Sequence, residues 1–304
     1  MFINNYYEMS EEAKYFDPVS GKYNDSSLWV RQKGAYNKFS DSMGQLNTRS
    51  NRYVTQVGGD LFKWKNNESD KIRLGVMVGY GNSRSSTRAS LTDYNSRSSV
   101  NGYSVGLYAV GINEFNDNSW SYWDIWGQYN WFDNSVKGEQ ISGEYYSSRG
   151  VTGAVEGGYA YKITGNRETS VWLQPMVQAV FMNVRSGDFR EDNGTNISFN
   201  GEGNIMSRLG IRSYINRNNK LTTLSVKNFE PYIEVNYIHN TKVFGVSMND
   251  YNIEQTGFRN NFEFKFGVNG QLSENMNSWI NISHQMGGHS YSDTQAMMGI
   301  RYSF

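Results

Sequence analysis

Ala296-Met297-Met298-Gly299-Ile300-Arg301-Tyr302-Ser303-Phe304 closes the chain with every second side chain apolar or aromatic. Counted back from the end, Phe304, Tyr302, Ile300, Met298 and Ala296 share one face; Ser303, Arg301, Gly299 and Met297 share the other. A period of two is the geometry of a strand whose faces meet different surroundings. Chain ends of soluble domains usually fray. A strand that runs to a terminal aromatic ring predicts an outer-membrane barrel, with apolar groups toward lipid and small or polar groups toward the lumen.

Composition is consistent with that reading once mean hydropathy is set aside. The value of -0.67 describes a polar chain, but half of each barrel strand and all of each loop face water. Aromatics make up 15% of the 304 residues, with 22 Tyr and 8 Trp, alongside 31 Gly and 3 Pro. No run of about 18 apolar residues occurs, so a helical span is excluded. The absence of Cys suits passage through an oxidising periplasm. A net charge of zero gives no case for a nucleic-acid partner. Residues 1–27 contain neither a basic leader nor an apolar core of a signal peptide, so Met1 is expected to begin a fragment of a longer protein.

Period-two runs recur along the chain near 28–38, 52–64, 71–83, 100–113, 120–133, 149–163, 170–184, 204–217, 229–241, 258–272, 277–287 and 295–304. Each is longer than the 5–6 residues common in soluble sheets and meets the roughly 9–11 needed to span a membrane at a tilt. In one run Phe262, Phe264, Phe266 and Val268 oppose Glu263, Lys265 and Asn269. In another, Val151, Val155, Tyr159, Tyr161 and Ile163 oppose Thr152, Glu156, Gly158 and Lys162. Trp123 and Trp131 share a face eight residues apart, which is roughly 20 Å along the membrane normal and predicts two interfacial girdles. Gly75, Gly79, Gly106, Gly158, Gly210 and Gly267 fall on inward faces, where small residues are expected to leave a lumen open. Connections alternate between short (65–70, 114–119, 164–169, 273–276) and long (84–99, 134–148, 185–203), the habit of barrels with short periplasmic turns and long outer loops. Two connections depart from that rule: 288–294 is shorter and 218–228 longer.

Two segments follow: 1–27 as a linker or lumen plug, and 28–304 as the barrel. Within the first, Met9, Ala13 and Phe16 have helical spacing. Ser10 before Glu11 and Glu12 reads as an N-cap, and Pro18 stops the helix.

Leu28-Trp29-Val30-Arg31 with Gly34, Gly58-Gly59-Asp60-Leu61, Gly75-Val76-Met77-Val78-Gly79-Tyr80-Gly81 and the terminal Arg301-Tyr302-Ser303-Phe304, in that order, resemble the C-terminal translocator domain of monomeric (type Va) autotransporters. The likeness is nearer the self-associating adhesin branch than the serine-protease branch. It implies a twelve-stranded outer-membrane barrel of a Gram-negative bacterium, a secreted N-terminal passenger, and a helix threaded through the lumen. It also implies insertion by the barrel-assembly machinery reading the last strand, where Ile300, Tyr302 and Phe304 would be the signal. Partners expected on this basis are outer-membrane lipid and lipopolysaccharide, periplasmic chaperones and the chain's own passenger, with the barrel a monomer.

Arg31, Lys33, Asp60, Arg73, Asp124, Glu156, Arg208, Arg212, Glu234, Glu263, Lys265 and Arg301 are expected to line the lumen and grip a polar segment through compensating charge. A sharper possibility is self-cleavage in the pore, with Asn4 or Asn5 cyclising beside Asp124, Glu156 or Glu234; the surroundings of that pair do not match the protease branch. Ser283 and His284 are sequence neighbours and so point to opposite strand faces, which excludes them as a hydrolase dyad. No metal-ligand spacing occurs. The expected protein is therefore a non-enzymatic translocator without a cofactor that anchors and exports a passenger. The alternatives are an open substrate channel and an outer-membrane hydrolase.

Overall fold

The computed structural model describes residues 1–10, 27–65, 70–139, 143–165, 169–190, 194–218, 228–249, 251–273 and 275–304. A helical turn α1 (Tyr6–Ser10) precedes the strands. They begin with β1 (Ser27–Ser40), β2 (Leu46–Lys65), β3 (Asp70–Ala89), β4 (Asn95–Asn116), β5 (Ser119–Gly138), β6 (Glu144–Gly165) and β7 (Thr169–Ser186). Next come two short pieces, β8 (Phe189–Arg190) and β9 (Asn196–Asn200), then β10 (Asn204–Asn218) and β11 (Asn228–Asn240). Two more short pieces, β12 (Gly245–Met248) and β13 (Tyr251–Glu254), precede β14 (Asn260–Ser273), β15 (Met276–Gly287) and β16 (Ser292–Ser303).

Twelve of these strands close into one antiparallel barrel. The last strand seals the ring by pairing with the first from Ser27↔Ser303 to Lys38↔Ser292. Closure leaves no unpaired edge, which a backbone surrounded by hydrocarbon requires. The expected faces hold: Phe262, Phe264 and Phe266 are exposed on the outer wall, while Glu263, Lys265 and Asn269 are buried inside. Two aromatic belts ring the outside. Tyr80, Tyr103 and Trp131 adjoin across β3–β5 in one belt, Tyr103 stacking on Trp131. Phe62–Trp64, Phe115–Tyr159 and Tyr302–Phe304 pair at the other end. Trp131 is 40% exposed, whereas Trp123 is partly covered because its ring lies over Gly111 on β4.

Three sequence expectations need correction. The stretches 84–99 and 134–148 are mostly strand rather than loop, because β2–β6 reach 20–22 residues and only 90–94 and 139–143 connect them. Above the membrane both faces meet water, so apolar alternation stops while the hydrogen-bond ladder continues. Hydroxyl pairs such as Thr48–Thr87 and Ser50–Ser85, each at 2.8 Å, line that extension. The first connection likewise shrinks to a turn over 41–45, with Asp41 Oδ1 accepting from Leu46 N at 2.8 Å. Part of 185–203 forms β8 and β9, which join β12 and β13 in a four-stranded sheet at the same tall end. The connection 219–227 lies outside the described residues.

Inward glycines do not leave open space either. A Cβ on Gly75 would lie 2.3 Å from the Tyr108 ring, on Gly158 2.3 Å from Tyr122, and on Gly267 2.5 Å from Tyr232. Each ring belongs to the residue directly opposite on the neighbouring strand. Glycine here is a seat for a cross-strand aromatic ring, and Gly58 with Trp29 and Gly299 with Trp279 repeat the device around the seam.

Finally, the helix starts earlier than Ser10. Asn5 is its cap, its Oδ1 accepting from Glu8 N at 3.0 Å, and Ser10 is the last helical residue. Ala13, Phe16 and Pro18 lie outside the described residues.

Candidate functional site in the barrel lumen

The polar wall is occupied. Phe2, Asn4, Asn5, Tyr6, Tyr7, Glu8 and Met9 are all buried inside the barrel. Met1 lies against Gly81 and Gly102 toward the tall end. Met9 O accepts from Arg301 near the short-turn end, at 3.2 Å. The segment therefore descends from the tall end, is not helical as far as Asn5, and enters α1 at Tyr6.

Arg31 on β1 is the hub of the first cluster. Its guanidinium donates to Glu8, to Asn4 Oδ1 and to Gln56 Oε1, and reaches Ile3 O at 3.4 Å. With Arg31 only 1% exposed, that pair must offset its own desolvation, which only several simultaneous hydrogen bonds can do. On the facing wall Gln128 Nε2 donates to Phe2 O and Gln178 Nε2 to Asn4 O, both at 2.7 Å.

A second cluster holds the helical turn. Tyr6 stacks on Tyr122 with centroids 4.0 Å apart. Arg212 is sandwiched between the rings of Tyr7 and Tyr232, its Cζ 3.5 Å from each centroid. Desolvated contacts of this type are worth up to about 2 kcal/mol each. Glu156 accepts from Tyr122 OH at 2.7 Å, from Gln178 Nε2 at 2.9 Å and from Tyr6 N at 3.2 Å. Tyr7 OH donates to Gln174.

A third cluster joins the seam below the segment. Asp60 accepts from Arg301, from Ser27 Oγ at 2.7 Å and from Tyr108 OH at 2.7 Å, and Arg73 lies 3.8 Å away. One carboxylate on β2 thus bridges β1, β3, β4 and β16.

Of the residues expected inside, Arg31, Asp60, Arg73, Asp124, Glu156, Arg212, Glu234, Glu263, Lys265 and Arg301 are buried, and Arg208 and Lys33 are half-buried. Glu234 faces Lys265 at 3.3 Å and Arg212 at 4.0 Å, and does not hydrogen-bond to Asn4 or Asn5 among the described residues. Neither oxygen of Asp124 has a hydrogen-bond partner there. Ser283 is buried, while the imidazole of His284 instead meets Thr294 Oγ1 at 2.8 Å. Ile300, Tyr302 and Phe304 are exposed on the outer face beside the seam. Sequence reasoning gave no role to Gln56, Gln174 and Gln178 or to Tyr108, Tyr122 and Tyr232. Strand parity places all six inward, but their partners lie on other strands or on the threaded segment.

The model of the autotransporter beta-domain family matches residues 28–283, and the chain belongs to that family. The uncharacterized protein YuaQ of Escherichia coli (strain K12) is 43% identical over 100% of this chain and 22% of its own length. The autotransporter adhesin AIDA-I of Escherichia coli is 34% identical over 96% of this chain and 23% of its own length. The crystal structure of the transport unit of AIDA-I matches with a TM-score of 0.84 at 33% identity, covering 96% of this chain and 94% of that one. The chain thus spans about a fifth of the length of these two curated relatives. It is an outer-membrane translocator barrel nearer the adhesin branch. The tall end is then the cell-surface side and the short-turn end the periplasmic side.

Proposed function

We propose that this domain anchors an N-terminal passenger in the outer membrane, carries it to the cell surface, and afterwards keeps its own lumen closed with residues 1–10. The observation behind this reading is the direction of the buried segment, whose Met1 lies toward the surface end and Met9 toward the periplasmic end. Chain continuing upstream of Met1 in that direction emerges at the surface. No nucleotide is invoked; folding of the passenger outside supplies the pull. The barrel-assembly machinery, with periplasmic chaperones, inserts the domain by reading Ile300, Tyr302 and Phe304. Lipopolysaccharide packs on the surface-side belt, and the unit works as a monomer. An epitope fused ahead of Met1 behind an export signal tests the core of the reading. Surface protease should remove it from intact cells; an inserted barrel whose epitope stays protected overturns it.

One contact favours a second reading, self-cleavage. Glu156 Oε2 sits 3.2 Å from Tyr6 N, the amine that would depart if the Asn5–Tyr6 bond broke. Asn5 Nδ2 would attack its own carbonyl carbon to form a succinimide, with Glu156 relaying the Nδ2 proton to the leaving amine. Asp124 and Glu234 would act on charge alone. Unchanged passenger processing in Asn4→Asp and Asn5→Asp full-length variants would end this reading.

A further inference from the structure

Beside the side-chain bond from Arg31 to Asn4 Oδ1, the upper part of the segment is held at three successive main-chain carbonyls. Gln128 on β5 binds Phe2 O, Arg31 on β1 binds Ile3 O, and Gln178 on β7 binds Asn4 O. Successive carbonyls of an extended chain point to opposite sides. The lumen matches that alternation. β1 and β7 stand six strands apart in the ring of twelve, directly across from each other, and β5 lies on the β7 side. Carbonyls of residues 2 and 4 therefore meet glutamine amides on one wall, and the carbonyl of residue 3 meets a guanidinium on the other.

A second observation concerns the amide atoms that the segment leaves unused. Gln56, Gln128, Gln174 and Gln178 are each at most 5% exposed. Gln56 Nε2, Gln128 Oε1 and Gln174 Nε2 nevertheless have no hydrogen-bond partner among the described residues. Buried amide atoms are rarely left unsatisfied. Here they form spare donors and acceptors around the axis along which the segment runs.

We propose that Arg31, Gln56, Gln128, Gln174 and Gln178 form a track for extended polypeptide that recognises backbone rather than side chains, and that exported chain occupies it in successive two-residue registers. Every peptide presents the same carbonyls and amides, so such a track holds any sequence weakly and lets it move. The spare amide atoms serve the registers that the resting segment does not use. This inference rests on the export reading above, and the tests separate the two: the fused-epitope assay reports export, whereas bilayer conductance reports grip.

Conductance of the full chain in planar bilayers distinguishes a backbone track from a side-chain lock. Gln128→Met with Gln178→Met keeps side-chain length and removes both donors. Each lost bond should weaken retention about fivefold, so the open fraction should rise roughly 25-fold. Inserting Ser-Thr between Asn4 and Asn5 shifts residues 1–4 by two and preserves carbonyl alternation, so the lumen should stay closed to within about twofold. Inserting Ser alone sends the side chains of residues 1–4 to the opposite walls, but the inserted residue presents its own carbonyl where that of Asn4 stood, so a backbone track should again stay closed to within about twofold, whereas a side-chain lock should open. Opening by the single insertion as large as that of the glutamine pair, or no opening by the glutamine pair, overturns the proposal. If the Met pair fails to give the heat-modifiable folded band on gels, Gln128→Glu with Gln178→Glu, which keeps shape and removes the donors, is read in its place.

Discussion

On β2, Gln56 and Asp60 are buried in the lumen, whereas Ser50, higher on the same strand and the same inward parity, only pairs with a hydroxyl on β3. Both regions are polar, both belong to one continuous ladder, and both face inward. Below, clusters such as those of Arg31 and Asp60 tie strands to one another and to the threaded segment, while Asp124 and single amide atoms of Gln56, Gln128 and Gln174 are left over among the described residues. Above, hydroxyls meet in twos beside water. A polar face costs little where water can replace a partner. Where water is excluded, removing one member of a charged cluster is expensive, because the buried charge left behind costs several kcal/mol.

Breaking the lower region at the seam should have the largest effect. Asp60→Ala removes the carboxylate shared by Arg301, Ser27 and Tyr108 and should destabilise the barrel by about 4 kcal/mol. Urea unfolding in detergent micelles measures it; a loss under 1 kcal/mol would mean that the seam does not depend on this cluster.

Next comes the hub of the segment. Arg31→Ala leaves Glu8 buried without its guanidinium and should cost retention of the segment about 3 kcal/mol, a hundredfold gain in open conductance with little change in barrel unfolding. Removing Glu8 as well should recover part of that loss. If Arg31→Ala instead lowers barrel stability and leaves conductance closed, Arg31 belongs to the wall and not to the plug.

A smaller effect is expected at a ring seat. Gly75→Val places carbon where the Tyr108 ring lies and should cost about 2 kcal/mol through overpacking. Adding Tyr108→Ala should relieve the part of the clash made by the ring, leaving the 2.4 Å approach to Gly59 O, even though it loses a hydrogen bond to Asp60. Additive losses in the double variant would show that ring and glycine are not coupled.

The upper region should barely respond. Ser50→Ala with Ser85→Ala removes one half-buried hydroxyl pair, with an expected change under about 0.5 kcal/mol. A loss as large as that of Asp60→Ala would erase the contrast between the two regions.

How far the sequence carries depends on the same contrast. Phe262, Phe264 and Phe266 against Glu263 and Lys265 give the strand, its direction of facing and the bilayer in one reading, because lipid and lumen select opposite side chains. Thr48 to Asn51 and Arg84 to Ser86 give no such signal: both faces meet water, so nothing enforces alternation, and strand reads as loop. Gly75 is legible as inward, but the ring that fills its space sits on β4, and no local spacing links residues 75 and 108. Asn5 and Ser10 are equally good caps on paper. Which one caps is decided by Glu156 and Tyr122, which fix Tyr6 in the first turn.

The sequence by itself determined the barrel, the number of its strands, its outward face and the burial of charge within, since each follows from a period of two repeated along the chain. Tertiary structure alone decided which charges meet, which rings close the glycine gaps, and how the first ten residues are held. Those pairings join residues far apart in the chain, such as Arg31 with Glu8 and Asp60 with Arg301. They become neighbours only when the ring closes and water leaves its interior.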